Sequence, residues 1–381
     1  MISLVKEQTV AKDWRAEAEA LSARFKVRAA SHDAEGSFVR ANFEDLREAG
    51  LTVAAAPAEF GGGDLDVPAM GGLLTILGRG CGSTALAFSM HTHQVAVPAW
   101  RWRRDKAPVE GLLRRIVGER LFLLSSGGSD WLAGSARAER VEGGYRVTGR
   151  KAFVSGAPIG DLLMTMAVLD DPATGPQVLH LPVSMKAEGV RVLDTWNTLG
   201  MRGTGSHDVE LDGVFVPDAA IGARRTPGEW HPLMHTISLV AFPLIYSAYL
   251  GVAEGMRDTA LDLAARRRDP ARQAPPAGEM DTHLLGARLA VRHMLELAGT
   301  ASPGAATTNA LFQARTLAAR EMLAVADRAL ELAGGAGFYR EGGLERMFRD
   351  IQGVRYHPLT DKVQADYAGH LALGLDASRV G

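Results

Sequence analysis

Along these 381 residues the hydrophobic period changes twice, and that change limits the fold more than any single motif does. Residues 1–118 place apolar side chains at helical spacing. Ala18, Leu21, Phe25 and Val27 form one approximate stripe; Phe38, Phe43 and Leu46 form another, closed by Gly50 as a C-terminal cap. Pro68 can open a further helix, and Ser83 can cap the one after it. From 119 to 225 the period drops towards two. Residues 145–148 and 209–211 alternate, Gly143-Gly144 reads as a hairpin turn, and 162–168 suits a buried strand. From about 238 long helical patterns return, including 311–332, interrupted by a Pro- and Ala-rich loop over 269–278. Helices, strands and helices in that order predict an α+β fold. Its expected parts are an N-terminal helical domain (1–118), a middle β domain (119–225) and a C-terminal helical domain (226–381).

Composition removes several classes of function. With 42 Lys+Arg against 44 Asp+Glu, nothing favours a nucleic-acid or anionic-membrane partner. Cys81 stands alone, which excludes an intrachain disulfide framework and fits a reducing compartment. No apolar run reaches the roughly 20 residues of a membrane span, and Met1 to Trp14 lacks a signal-peptide core. The expectation is a cytoplasmic globular protein.

The densest motif is Gly334-Gly335-Ala336-Gly337-Phe338-Tyr339, followed by Leu344-Glu345-Arg346 and Arg349-Asp350. Glycines clustered this way let backbone come close to something large, flat or phosphorylated. Four ordered segments precede it: Pro57 to Asp66, Ser125-Ser126-Gly127-Gly128-Ser129-Asp130, Gly149-Arg150-Lys151-Ala152-Phe153-Val154-Ser155, and Met201-Arg202-Gly203-Thr204-Gly205-Ser206. Together these resemble the acyl-CoA dehydrogenase family over nearly the whole chain.

That resemblance implies a C-terminal four-helix bundle, an FAD cofactor, and a homodimer or homotetramer built around flavin sites. Carried over by position, Ser129 faces the diphosphate from a turn rich in exposed N–H groups. Phe153 covers one face of the flavin ring, and Ser155 hydrogen-bonds the nitrogen that receives hydride. Arg267 reaches the diphosphate across a subunit interface, and Gly334, Gly335, Gly337 and Thr360 add cofactor contacts. Arg202 has a structural part. The match departs from the family where Pro270 and Ala271 replace a Phe-Gly pair and Glu331 replaces a Gln.

The larger departure concerns the chemistry. The family's catalytic glutamate falls on Pro358 or, in some branches, on Ala241; residues that seat acyl-CoA fall near Leu239 and Phe242. A positioned base contributes about 10²- to 10⁴-fold in rate. His357 is the candidate replacement because imidazole titrates near neutrality; the alternative is a histidine that caps the turn before Pro358. His91, His93 and His235 are candidate pocket residues, with one of His91 and His93 expected to be only a polar helix residue. His231 and His235 have i, i+4 spacing but no carboxylate or Cys beside them, so no metal site is expected.

The resemblance therefore implies a flavin oxidoreductase that oxidises the CH–CH bond of an acyl thioester, with His357 moving the proton and an electron-acceptor protein as partner. The alternative is a two-component monooxygenase supplied with reduced FMN or FAD by a reductase. A third reading is a non-catalytic flavin-binding subunit.

Overall fold

The computed structural model describes residues 12–381, apart from 127, 174 and 268 and the side chains of Ser129 and Pro270. Five helices come first: α1 (Trp14–Glu35), α2 (Arg40–Glu48), α3 (Val67–Gly80), α4 (Gly82–Asp105) and α5 (Glu110–Gly118). Asp13 caps α1 and Asp66 caps α3, each accepting backbone N–H bonds, and Pro68 occupies the first turn of α3. Gly50 takes φ +68° just past α2, the left-handed geometry that ends a helix at little cost to glycine.

Two local expectations fail. Val27 is 81% exposed because residues 18, 21 and 25 lie on one helical face and 27 does not; the buried stripe continues through Ala29. Ser83 lies inside α4, and its hydroxyl accepts from Gly203 N at 3.2 Å, tying that helix to the Met201–Ser206 segment.

The strands are β1 (Leu123–Ser125), β2 (Arg137–Val141), β3 (Gly144–Val154), β4 (Leu162–Asp171), β5 (Gly175–Ser184), β6 (Val190–Val192), β7 (His207–Pro217) and β8 (Ala223–Arg225). They form one sheet in the order β6-β7-β3-β2-β4-β5-β8, with β1 also pairing parallel to β4. Val141 pairs with Gly144, so the hairpin turn is Glu142-Gly143, with Gly143 at φ +73°. β4 alternates buried and partly exposed positions rather than burying both faces. Between Lys151 and Val154, β3 advances three residues while β7 advances two, from Val209 to His207. This bulge puts Phe153 at φ +57°.

Helices then return: α6 (Pro232–Ala265), α7 (Ala274–Thr300), α8 (Ala305–Ala333), α9 (Leu344–Ile351) and α10 (Asp361–Ala372). The expected loop ends early, since α7 starts at Ala274 and takes Pro275-Pro276 into its first turn, where a missing N–H costs nothing. α6, α7 and α8 pack around a second core that includes Met256, Leu284, Phe312 and Met322, and α10 packs on α8. By length and mean hydropathy (1.7) α6 could cross a membrane, but 94% of that apolar window is buried inside the protein. It is the central helix of the fold.

Candidate active site

A cavity of about 1030 Å³ opens between α4, α6, the sheet and the segment after α9. Its polar floor is organised by one buried ion pair. Lys151 and Asp130 are both fully buried and 2.8 Å apart. Lys151 Nζ also donates to the carbonyls of Ser135 and Met166, and Asp130 accepts from Thr165 Oγ1 (3.1 Å) and the hydroxyls of Ser126 and Ser135. Burial pulls the lysine pKa below its usual value, and Asp130 opposes that shift. The three ammonium protons are thus taken up, and the pair anchors the short turn Gly128–Asp130 to β3 and β4. Ser125, Ser126 and Gly128 line the cavity. A Cβ on Gly128 would come within 2.8 Å of Pro358, so this turn lies directly against the segment that carries His357.

Two residues beyond Lys151, Phe153 is 57% exposed and points into the cavity, its ring edge-on to Trp196 at 6.2 Å. A bulky residue at positive φ costs energy and is kept where the surroundings dictate it, often at a functional site. Ser155 is buried; its hydroxyl bonds Ser206 Oγ at 2.8 Å, which bonds Thr204 Oγ1 at 2.7 Å. Ser129 belongs to the Gly128–Asp130 turn, but its side chain lies outside the described residues.

His357 lines the opposite wall. Its Nε2 is 2.9 Å from the Tyr249 hydroxyl. Its carbonyl accepts from Arg315 Nη2 at 2.8 Å, and the same nitrogen holds Val354 O at 3.0 Å. A Cβ on Gly353 would sit 2.4 Å from the Tyr249 oxygen, so glycine there leaves the tyrosine room to reach the imidazole. Burial, with Arg315 adding to it, pushes the His357 pKa down to about 3, and burial holds Tyr249 well above the usual phenol range. His357 is therefore a neutral imidazole at pH 7. Ala241 and Pro358, the two positions where the family's glutamate would stand, line this same cavity.

The pocket histidines divide. His93 lines the cavity, with Nδ1 3.1 Å from Ser89 O and a pKa lowered to about 4 by burial. His91 is the structural member of the pair and does not line the cavity. Its Nε2 donates to Thr52 O at 2.7 Å and its Nδ1 accepts from Leu123 N at 3.0 Å, leaving no free ring nitrogen. His235 also lies outside the cavity wall; it stacks on Trp230 at 5.0 Å and bonds Thr308 Oγ1 at 2.7 Å. No cluster of three or more metal-binding side chains occurs among the described residues.

The late glycine turn is separate from the cavity within one chain. Gly334 (φ +57°, ψ −147°) occupies a region open essentially to glycine alone, and a Cβ there would lie 2.4 Å from Arg267 Nη2. Arg267 donates to Gln273 Oε1 at 3.1 Å. Gly335 is exposed, Gly337 is buried, and Thr360 precedes α10 with an exposed side chain that makes no capping bond. Arg267, Gly334, Gly335, Gly337 and Thr360 do not line the cavity. Arg202 and Arg349-Asp350 are structural. Arg202 Nε donates to Asp33 O at 2.7 Å, Arg349 bridges Asp33 (2.6 Å) and Glu345 (2.7 Å), and the Asp350 carboxylate accepts from Met201 N.

Sequence reasoning missed Tyr249, Trp196, Thr165 and His180, all of which reach the cavity wall. Only distant pairings place them there, as when Arg225 Nε meets His180 Nε2 at 3.0 Å across strands β8 and β5.

Residues 10–105, 125–214 and 244–362 match the N-terminal, middle and C-terminal domains of acyl-CoA dehydrogenase. The chain is 27% identical to cyclohex-1-ene-1-carbonyl-CoA dehydrogenase of Geobacter metallireducens, covering 85% of this chain and 87% of that one. It is 26% identical to dibenzothiophene monooxygenase of Rhodococcus erythropolis, covering 94% and 92% respectively. Among solved structures it is similar to KijD3 in complex with FMN and dTDP-3-amino-2,3,6-trideoxy-4-keto-3-methyl-D-glucose, with a TM-score of 0.87, 26% identity, and coverage of 98% of this chain and 96% of that one. The three domain matches follow the helix–sheet–helix order of the fold, and the chain belongs to the acyl-CoA dehydrogenase family.

Proposed function

We propose that this protein is a flavin-dependent oxygenase that receives reduced flavin, uses O₂ and acts on a small organic substrate in the cavity described above. One observation carries the reading: among the described residues no Asp or Glu lines the cavity, and Ala241 and Pro358 fill both glutamate positions. Dehydrogenation of an acyl thioester needs a base at the α-carbon, and this wall has no carboxylate to act as one. Similarity alone does not choose, because the dehydrogenase and the monooxygenase match at 27% and 26% identity.

The residues present suit a flavin. Phe153 offers an aromatic face held at positive φ, the Ser155–Ser206–Thr204 hydroxyls offer polar contacts to a ring edge, and Ser125, Ser126 and the Gly128 turn suit a phosphate. Reduced flavin, when bound, supplies the electrons that activate O₂. FMN is favoured over FAD. KijD3, which resembles this chain over 98% of its length, is seen with FMN. His357 relays a proton through Nε2, with Tyr249 orienting the ring; burial and Arg315 keep the imidazole neutral, so it passes a proton on rather than holding one. A flavin reductase is the implied partner.

The test is anaerobic titration with reduced FMN and reduced FAD, followed by mixing with O₂. The reading expects tight binding of reduced flavin, with FMN preferred, and oxygen consumption coupled to that flavin. Bleaching of bound oxidised flavin by an acyl-CoA under anaerobic conditions would overturn it in favour of a dehydrogenase.

A further inference from the structure

We propose that the end of the cavity formed by α4 and α5 is an anion-recognition site, and that the substrate is an amphiphile with an apolar body and an acidic group at its far end. The inference relies on the flavin reading only in treating the remaining space as the substrate's.

One face of α4 lines the cavity from Leu86 to Arg101, a wall roughly 22 Å long at 1.5 Å per residue. His93 and Gln94 lie at the middle of this wall; beyond them, next to its outer end, Val97 and Pro98 share it with Leu112, Met234 and Ile237, none of which carries a polar side-chain group. The outer end changes character, with Arg101 from α4 and Arg115 from α5 lining it.

The other basic residues at this end of α4 are all engaged. Arg103 pairs with Asp64 at 2.8 Å, Arg104 bonds Gly299 O at 3.2 Å and packs over Trp100, and Lys106 lies over the Trp102 ring at 4.8 Å. Arg115 pairs with Glu119 at 2.9 Å on the exposed rim. Arg101 is half-buried, and its guanidinium has no hydrogen-bond or ion-pair partner among the described residues. A partly desolvated guanidinium keeps five donors to satisfy, and its planar fork matches a carboxylate, sulfonate or phosphate. No acidic side chain in the cavity wall competes for it among the described residues.

This site is distinct from the phosphate-suited turn. α4 meets β1 where His91 accepts from Leu123 N, and Arg101 lies roughly 15 Å farther along the helix.

The proposal is tested with two probes that share one apolar body: 8-anilinonaphthalene-1-sulfonate and the uncharged N-phenyl-1-naphthylamine. Both are titrated by fluorescence into the full-length protein and into Arg101→Gln and Arg101→Lys, and FMN affinity is measured on each. The expected result is a loss of about tenfold in sulfonate affinity for Arg101→Gln, a smaller loss for Arg101→Lys, and no change for the uncharged probe or for FMN. Failure of the wild type to bind the sulfonate, equal losses for both probes, or loss of FMN affinity in Arg101→Gln would each overturn it. If no variant binds FMN but the sulfonate loss still tracks Arg101, the anion site stands and the flavin reading falls.

Discussion

Lys151 and Phe153 are two residues apart on one strand, yet the regions they belong to are built on opposite principles. Around Lys151 the donors and acceptors of Asp130, Ser135, Thr165 and Met166 are paired and shielded from water. Around Phe153 a large ring stands 57% exposed at positive φ, in a cavity also lined by a neutral imidazole and, at its outer end, an unpaired guanidinium. The lesson is a division of labour. The saturated region is rigid enough to impose strain on the open one, and the open one leaves its polar and aromatic capacity for something not of the chain.

The most severe way to break this comparison is to remove one partner from the saturated side. Lys151→Met leaves Asp130 buried and uncompensated, and it should cost about 3–5 kcal/mol in urea unfolding; a loss under about 1 kcal/mol would show that the network does not support the site. On the open side, His357→Ala should lower coupled oxygenation by about 10²-fold or more while reduced-flavin affinity stays near wild type, with a loss of about 1–3 kcal/mol in stability because the buried Tyr249 hydroxyl loses its partner. Unchanged turnover would reassign His357 to turn capping.

Acid should expose a cost shared by both walls. His91, His93 and His180 have folded pKa values of about 4, and His357 about 3, all below the usual 6.5. The unfolded chain therefore binds more protons than the folded one between about 6.5 and 4, and stability present at neutral pH is lost as pH falls through that window. Each histidine contributes a slope of up to about 1.4 kcal/mol per pH unit. Asp350, raised to about 6 by burial, acts in the opposite direction, since its contribution is lost as pH rises through 6, but it is one group against four. A fall of about 2 kcal/mol or more between pH 7 and pH 5, measured by urea unfolding, is expected; a flat profile would contradict the neutral, buried state of these rings.

The smallest effect has opposite signs in its two readouts. Phe153→Gly relieves a positive φ and should raise stability by about 0.5–1 kcal/mol. It should also weaken flavin binding by about 0.5–1.5 kcal/mol through loss of the stacking face. Lower stability with unchanged flavin affinity would make Phe153 an ordinary packing residue.

The α+β order, the Gly50 C-cap and the segments that bring Gly128, Phe153, Ser155 and His357 to the cavity were legible in the chain, because periodicity, glycine conformation and short motifs are local properties. The same reading erred at Val27 and at 269–278, where helical phase and the tolerance of a first turn for proline decided the outcome. His91 and His93 show the limit most clearly. Two residues apart in the same helix, they look alike in sequence, yet one spends both ring nitrogens on Thr52 and Leu123 and the other faces the cavity.

The sequence determined the architecture through its hydrophobic periods and, through the family resemblance that its motifs carry, the two positions at which a glutamate is absent. Only tertiary structure decided that Ala241, Pro358, His357 and Tyr249 line one cavity, that no acid lines it among the described residues, and that the Arg101 side chain reaches its outer end unpaired. The physical reason is that a local pattern sets which face of an element is apolar, whereas the partner of a polar group is chosen by whichever distant segment folds against it, as the 108-residue separation of Tyr249 and His357 shows.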